Sequence, residues 1–113
     1  TWMGDPVRTL MLSTVIDVVK EDNLIENTKQ TGNYLMTHMK STLPEKFNNL
    51  RGMGTFVAFD SQDCQKNIVE YFSKKGILIG VCGAKSFRLR PSLIYTQKEA
   101  DVFLEVFRKY KYI

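Results

Sequence analysis

Apolar positions along this chain fall into two periods, and proline, glycine and aspartate mark the places where one gives way to the other. Asp5-Pro6 opens the first stretch: the Asp5 carboxylate can cap a helix, and Pro6 suits its first position, where no N–H is required. Val7, Leu10, Met11, Val15 and Val18 then recur at helical spacing, which predicts a helix over 6–20 with one broad apolar face. Asp22-Asn23 interrupts it. Leu24, Thr28, Gly32, Leu35 and Met39 carry a second helix to about Leu43, where Pro44 stops it. The short connector predicts a hairpin of these two helices.

Beyond Asn48 the period shortens. Arg51-Gly52-Met53-Gly54 is turn-prone, and Thr55-Phe56-Val57-Ala58-Phe59 is rich in β-branched and aromatic residues, which predicts a strand ended by Asp60-Ser61. Cys64, Ile68, Val69 and Phe72 return to helical spacing up to a stop at Gly76. Ile77-Leu78-Ile79 reads as a short strand, Gly80 to Gly83 as a loop, and Ser86 to Leu89 as a third strand closed by Pro91. From Gln97, residues Ala100, Phe103, Leu104, Phe107 and Tyr110 set the teeth of a terminal helix. The expected order is α-α-β-α-β-β-α. That is an α/β chain in the loose sense, an α+β small domain with long helices packed on a small, mainly antiparallel three-stranded sheet.

Composition narrows this little. The chain has 113 residues, 43% hydrophobic and 25% charged, ordinary values that exclude wholesale disorder, a collagen-like chain or a disulfide scaffold. Its apolar runs fall far short of the roughly 18–20 residues of a membrane helix. The net charge of +4 mildly favours anionic partners. Cys64 and Cys82 lack metal-ligand spacing and read as buried or half-exposed free thiols, and with His38 as the sole histidine no metal site is expected. Thr1 is not an initiator residue, so a fragment is the working expectation.

Chemistry is thin at first sight, for no P-loop, GxGxxG, HExxH or GxSxG occurs. The basic and aromatic run Arg108-Lys109-Tyr110-Lys111-Tyr112 has the mixture of single-strand nucleic-acid surfaces, but basic residues at a helix C-terminus also simply complement its dipole. Two places stand out. Thr1-Trp2-Met3-Gly4-Asp5-Pro6 offers a hydroxyl and free N–H groups ahead of a helix start, as an anion site or as a plain capping segment. In Phe87-Arg88-Leu89-Arg90-Pro91, Arg88 and Arg90 share one strand face. They form either a guanidinium pair suited to carboxylates or an exposed face bridged to its neighbours.

These two places, with Arg51-Gly52-Met53-Gly54-Thr55-Phe56, Lys75-Gly76, Gly80-Val81-Cys82-Gly83 and Lys85-Ser86 between them, come in an order that resembles the C-terminal part of class III (omega) pyridoxal-phosphate aminotransferases. The likeness runs the whole chain. Trp2 and Asp5 give the first motif the form of the animal-type branch that uses 4-aminobutyrate.

The resemblance implies the C-terminal domain of the fold-type I pyridoxal-phosphate-dependent transferase fold. Residues 1–22 would be the end of a cofactor-facing segment and a long connecting helix, and 23–113 the small domain. It implies amino transfer from 4-aminobutyrate to 2-oxoglutarate, giving succinate semialdehyde and glutamate, or the ornithine or β-alanine version of that reaction. The cofactor, pyridoxal 5'-phosphate, serves as electron sink. Its catalytic lysine lies outside this chain, so no catalytic residue is expected here and the chain alone would be inactive.

Residue by residue, the resemblance makes Thr1 a donor to the cofactor phosphate of the neighbouring subunit in a homodimer, and Arg88 the receiver of a substrate α-carboxylate. Cys82 and Gly83 become substrate-pocket wall, and Arg90 gets no direct contact. Val81 stands where a glycine is common and is expected to narrow that wall; Ala84 stands where an acid is common. The mitochondrial matrix is the implied compartment, with neither nucleic acid nor membrane as a partner. The rival reading is a free-standing basic α+β binding module using Arg88, Arg90 and the Arg108–Lys111 cluster.

Overall fold

A computed structural model describes residues 2–110. Helix α1 (Pro6–Glu21) starts on Asp5, whose Oδ1 accepts from the Val7 N–H at 3.0 Å. Asn23, in the left-handed region at φ 49°, separates it from α2 (Leu24–Ser41). Strands β1 (Phe47–Met53) and β2 (Phe56–Ser61) form a hairpin, followed by α3 (Gln65–Lys74). A second hairpin, β3 (Gly80–Cys82) and β4 (Ser86–Leu89), leads to α4 (Gln97–Lys109). Thr96 and Glu99 cap α4 reciprocally, each side chain bonding the other's end of the first turn.

The mixed architecture is as expected, but the sheet has four strands, in the order β1-β2-β4-β3, and every pair is antiparallel. The additional strand, β1, occupies the stretch expected to be a turn-prone approach. Only Gly54, at φ 56°, makes the turn there, while Phe47 is buried and anchors β1 to the core. The strand expected at 77–79 lies three residues later, at Gly80–Cys82. Its partner sets that position: Cys82 faces Ser86 and Gly80 faces Arg88, and further pairing would run toward Pro91, which has no N–H.

One face of the sheet carries the core. Val57, Phe59 and Phe87 turn to the helices and meet Leu35 and Met39 of α2, Ile68 and Phe72 of α3, and Phe103, Leu104 and Phe107 of α4. Aromatic rings dominate it: Phe47 stacks on Phe107 at 5.3 Å between centroids, and Phe59 on Phe87 at the same distance. Helix α2 is tied to α4 by the Tyr34 hydroxyl, which donates to Asp101 Oδ1 at 2.6 Å. Gly32 permits its approach to the β1–β2 turn, for a Cβ there would lie 2.2 Å from the Gly54 backbone.

The hairpin expected of the first two helices does not form. None of α1's residues is buried, and a packed hairpin would cover one of its faces. Its apolar positions also wrap around the helix, with Leu10, Met11 and Leu12 consecutive, so they do not form the single face expected.

Candidate functional site

The far face of the sheet is open, and the ladder sets its chemistry. Arg51 of β1, Ala58 of β2, Arg88 of β4 and Gly80 of β3 stand in one row across the four strands. One step along lies a second row, Asp60, Ser86 and Cys82. Paired residues share a face, and so do residues two apart on a strand, so both rows look the same way. Arg51, Ala58 and Arg88 of the first row and Ser86 and Cys82 of the second line a shallow concavity of about 310 Å³, together with Arg90.

Arg88 is exposed and, among the described residues, makes no ion pair. Its stem lies over Gly80: the Cγ and Nε atoms sit 2.9 Å from where a Cβ on Gly80 would be. A side chain at position 80 would therefore displace the guanidinium. Arg90 shares Arg88's face, as the two-residue spacing predicts, and rests over the Phe56 ring at 5.9 Å.

Arg51 is in the opposite state. Its Nη1 donates to Asp60 Oδ1 at 3.0 Å and its Nη2 to Ser86 Oγ at 3.3 Å. The Ser86 hydroxyl donates to the same Asp60 oxygen at 2.7 Å, and Asn49 Nδ2 donates to Oδ2 at 2.9 Å. Asp60 is 3% exposed and fully partnered. The hydrogen bonds from Asn49 and Ser86, with Arg51 beside them, hold its carboxyl down at about 2, so it is ionised at any working pH.

Sequence reasoning missed this cluster. It depends on a β-bulge between Asn48 and Arg51, where Asn49 takes φ 51° and both Asn49 and Arg51 reach Asp60. The one available signal was Asn48-Asn49 itself, since asparagine tolerates the left-handed region best among residues with a side chain.

The remaining expected site residues scatter. Cys82 lines the concavity and is an exposed free thiol, as is Cys64, so neither is the buried or half-exposed thiol expected. Gly83 lies beyond the concavity at the β3–β4 turn, where its φ of 57° suits glycine. Val81 cannot narrow the wall around Arg88: it pairs with Phe87, on the opposite face from Cys82. Thr1 lies outside the described residues. Next to it Trp2 sits against Arg8, whose guanidinium carbon is 4.9 Å from the ring centroid.

The arrangement can take a carboxylate, since an unpaired guanidinium offers two parallel donors to it. It does not by itself make a pocket for pyridoxal phosphate, because no lysine lines the concavity to bond the aldehyde. No helix among the described residues is long and apolar enough to cross a membrane.

The class-III aminotransferase family model matches residues 1–110. The mitochondrial 4-aminobutyrate aminotransferase of Sus scrofa is 35% identical over 112 residues, covering 95% of this chain and 22% of that protein. The 4-aminobutyrate aminotransferase of Mycosarcoma maydis is 39% identical over 114 residues, covering 93% of this chain and again 22% of its relative. The chain thus spans about a fifth of the length of these curated relatives, matching their C-terminal part. Among solved structures, Plasmodium falciparum ornithine delta-aminotransferase superposes with a TM-score of 0.77 at 23% identity, over 82% of this chain and 26% of that one.

Proposed function

The chain belongs to the class-III aminotransferase family, and from that premise we propose that it is the C-terminal part of a pyridoxal-phosphate transaminase that moves the amino group of 4-aminobutyrate to 2-oxoglutarate. Arg88 carries this reading. It is the one arginine of its row left without an acid, it faces a concavity, and glycine opposite leaves its stem room. A guanidinium in that state receives the α-carboxylate of glutamate or 2-oxoglutarate bidentately and orients the substrate. Cys82 and Ser86 form the wall beside it, and Gly83 shapes the turn that carries the wall.

The cofactor, held by the rest of the parent and by Thr1 of a neighbouring subunit in a homodimer, supplies the electron sink. Within this chain, residues 1–22 are the connecting segment and 23–113 the small domain. The apolar surface of α1 is what the rest of the parent covers. Mitochondrial relatives support the matrix as compartment. The family match across 1–110 replaces the free-standing binding module.

The test uses the full-length parent, wild type beside Arg88→Lys and Arg88→Ala, with each half-reaction followed by cofactor absorbance. The glutamate half is expected to fall by roughly two orders of magnitude, about 2.7 kcal/mol, and the 4-aminobutyrate half clearly less. Equal losses would make Arg88 a structural brace, and a parent without cofactor absorbance would sink the proposal. Ornithine and β-alanine as donors in the same assay decide whether 4-aminobutyrate is the preferred one.

A further inference from the structure

Asp60 and Arg88 lie on the same open face, one diagonal step apart: Asp60 is opposite Ser86, and Arg88 follows two residues later on β4. Diagonal neighbours in an antiparallel pair are about 7–8 Å apart, within reach of an arginine side chain. A buried, ionised carboxylate at that distance lies within reach of Arg88, which has no acid partner among the described residues. Yet Arg88 does not take it, because Asp60 is already spent on Arg51, Ser86 and Asn49. Arg88 instead folds the other way, over Gly80.

We propose that Arg51 is a positioning residue for substrate binding: by occupying Asp60 it keeps that carboxylate from capturing Arg88, and so leaves Arg88 free for the substrate's carboxylate. The inference rests on the carboxylate-receiving role of Arg88 and adds to it the reason that role is available. Arg51 need not touch the substrate. Its side chain is turned to Asp60 and Ser86, and Ala58 separates it from Arg88 in the row. Removing Arg51 leaves a buried carboxylate short of its cation, a costly state that Arg88 can relieve. Neutralising Asp60 as well removes the reason for capture.

The prediction is therefore a rescue. Full-length holoenzyme is titrated calorimetrically with glutarate, a dicarboxylate that has no amino group to react. Thermal melting runs in parallel to confirm that each variant is folded. Arg51→Met is expected to weaken glutarate at least tenfold, and Arg51→Lys, which still supplies Asp60 with a cation, to stay within about threefold of wild type. Asp60→Asn alone is expected to bind normally, and added to Arg51→Met it is expected to restore most of the lost affinity.

A role for Arg51 in direct contact or in holding the sheet together gives the reverse: the double variant binds as poorly as Arg51→Met or worse, which overturns the inference. Unchanged binding in Arg51→Met overturns it as well. Arg88→Ala separates the two claims. If it binds glutarate like wild type, the carboxylate role of Arg88 fails. If Arg88→Ala loses glutarate while Arg51→Met keeps it, only the role of Arg51 fails.

Discussion

Helices α1 and α4 have 16 and 13 residues, both are capped at the N-terminus, and both carry plentiful apolar side chains. In α4 those side chains form one stripe, and Ala100, Phe103, Leu104 and Phe107 are all buried. In α1 they encircle the helix, and Val7, Leu10, Met11, Leu12, Val15, Ile16 and Val18 remain 41% to 69% exposed. Spacing alone makes each segment a helix. Burial needs a complementary surface, and the rest of the chain offers one to α4 and not to α1. A helix apolar on several sides belongs in the interior of something larger, and this chain spans about a fifth of the length of its curated relatives.

The sharpest way to test the contrast is to remove a ring from α4. Phe107 is fully buried and lies against Phe47, Phe59 and Phe103. Phe107→Ala is expected to cost about 3–5 kcal/mol, a large part of the stability of any domain this size. Urea unfolding of the chain measures it, and Phe107→Leu serves if the alanine variant does not fold. A loss under about 1 kcal/mol would mean that the ring cluster is not the core.

Gly32→Ala comes next, because alanine in a helix ordinarily stabilises. Here the new Cβ would meet the Gly54 backbone at 2.2 Å, so α2 must lift from the β1–β2 turn. The expected cost is about 1–3 kcal/mol, read from the same unfolding curves. A gain of stability would show that α2 does not sit on that turn.

How much of this contrast was legible from the sequence depended on distance along the chain. The buried face of α4 followed from its spacing, and the shared face of Arg88 and Arg90 from strand alternation. Strand β1 did not, because Gly52, Gly54 and Asn48-Asn49 all suggest turns, while only Gly54 makes one and Asn49 makes a bulge. Gly52 lies within the strand, where the Phe56 carbonyl fills the place of a Cβ. The Arg51–Asp60 pair depends on that bulge and on strand pairing, and local periodicity carries neither. Likewise the position of β3 was decided by its partner β4, whose ladder ends before Pro91, and not by the apolar run Ile77-Leu78-Ile79.

The two caps give a smaller and more selective effect. Thr96→Ala breaks a reciprocal cap on a helix that holds the core, and is expected to lower the stability of the whole domain by about 1 kcal/mol. Asp5→Ala removes the Val7 N–H acceptor from α1, and is expected to reduce helical circular dichroism while leaving the main unfolding midpoint in place. Equal midpoint shifts would mean that α1 and α4 unfold as one unit.

The smallest effect expected in this chain becomes a large one in the parent. Leu10 and Met11 are 69% and 63% exposed, so Leu10→Ala and Met11→Ala remove no buried contact, and each is expected to change the chain's stability by less than about 0.5 kcal/mol. Both should also reduce aggregation, by breaking an exposed apolar surface. In the full-length protein the same substitutions face whatever covers α1, and truncating a buried leucine or methionine costs about 2–5 kcal/mol. Measuring both variants in both backgrounds gives four numbers whose pattern decides the matter. Silence in the chain with a loss in the parent means that α1 is a helix whose partner lies elsewhere in the protein. A loss in the chain alone would mean that α1 already packs on the rest of the chain, and the contrast with α4 would disappear.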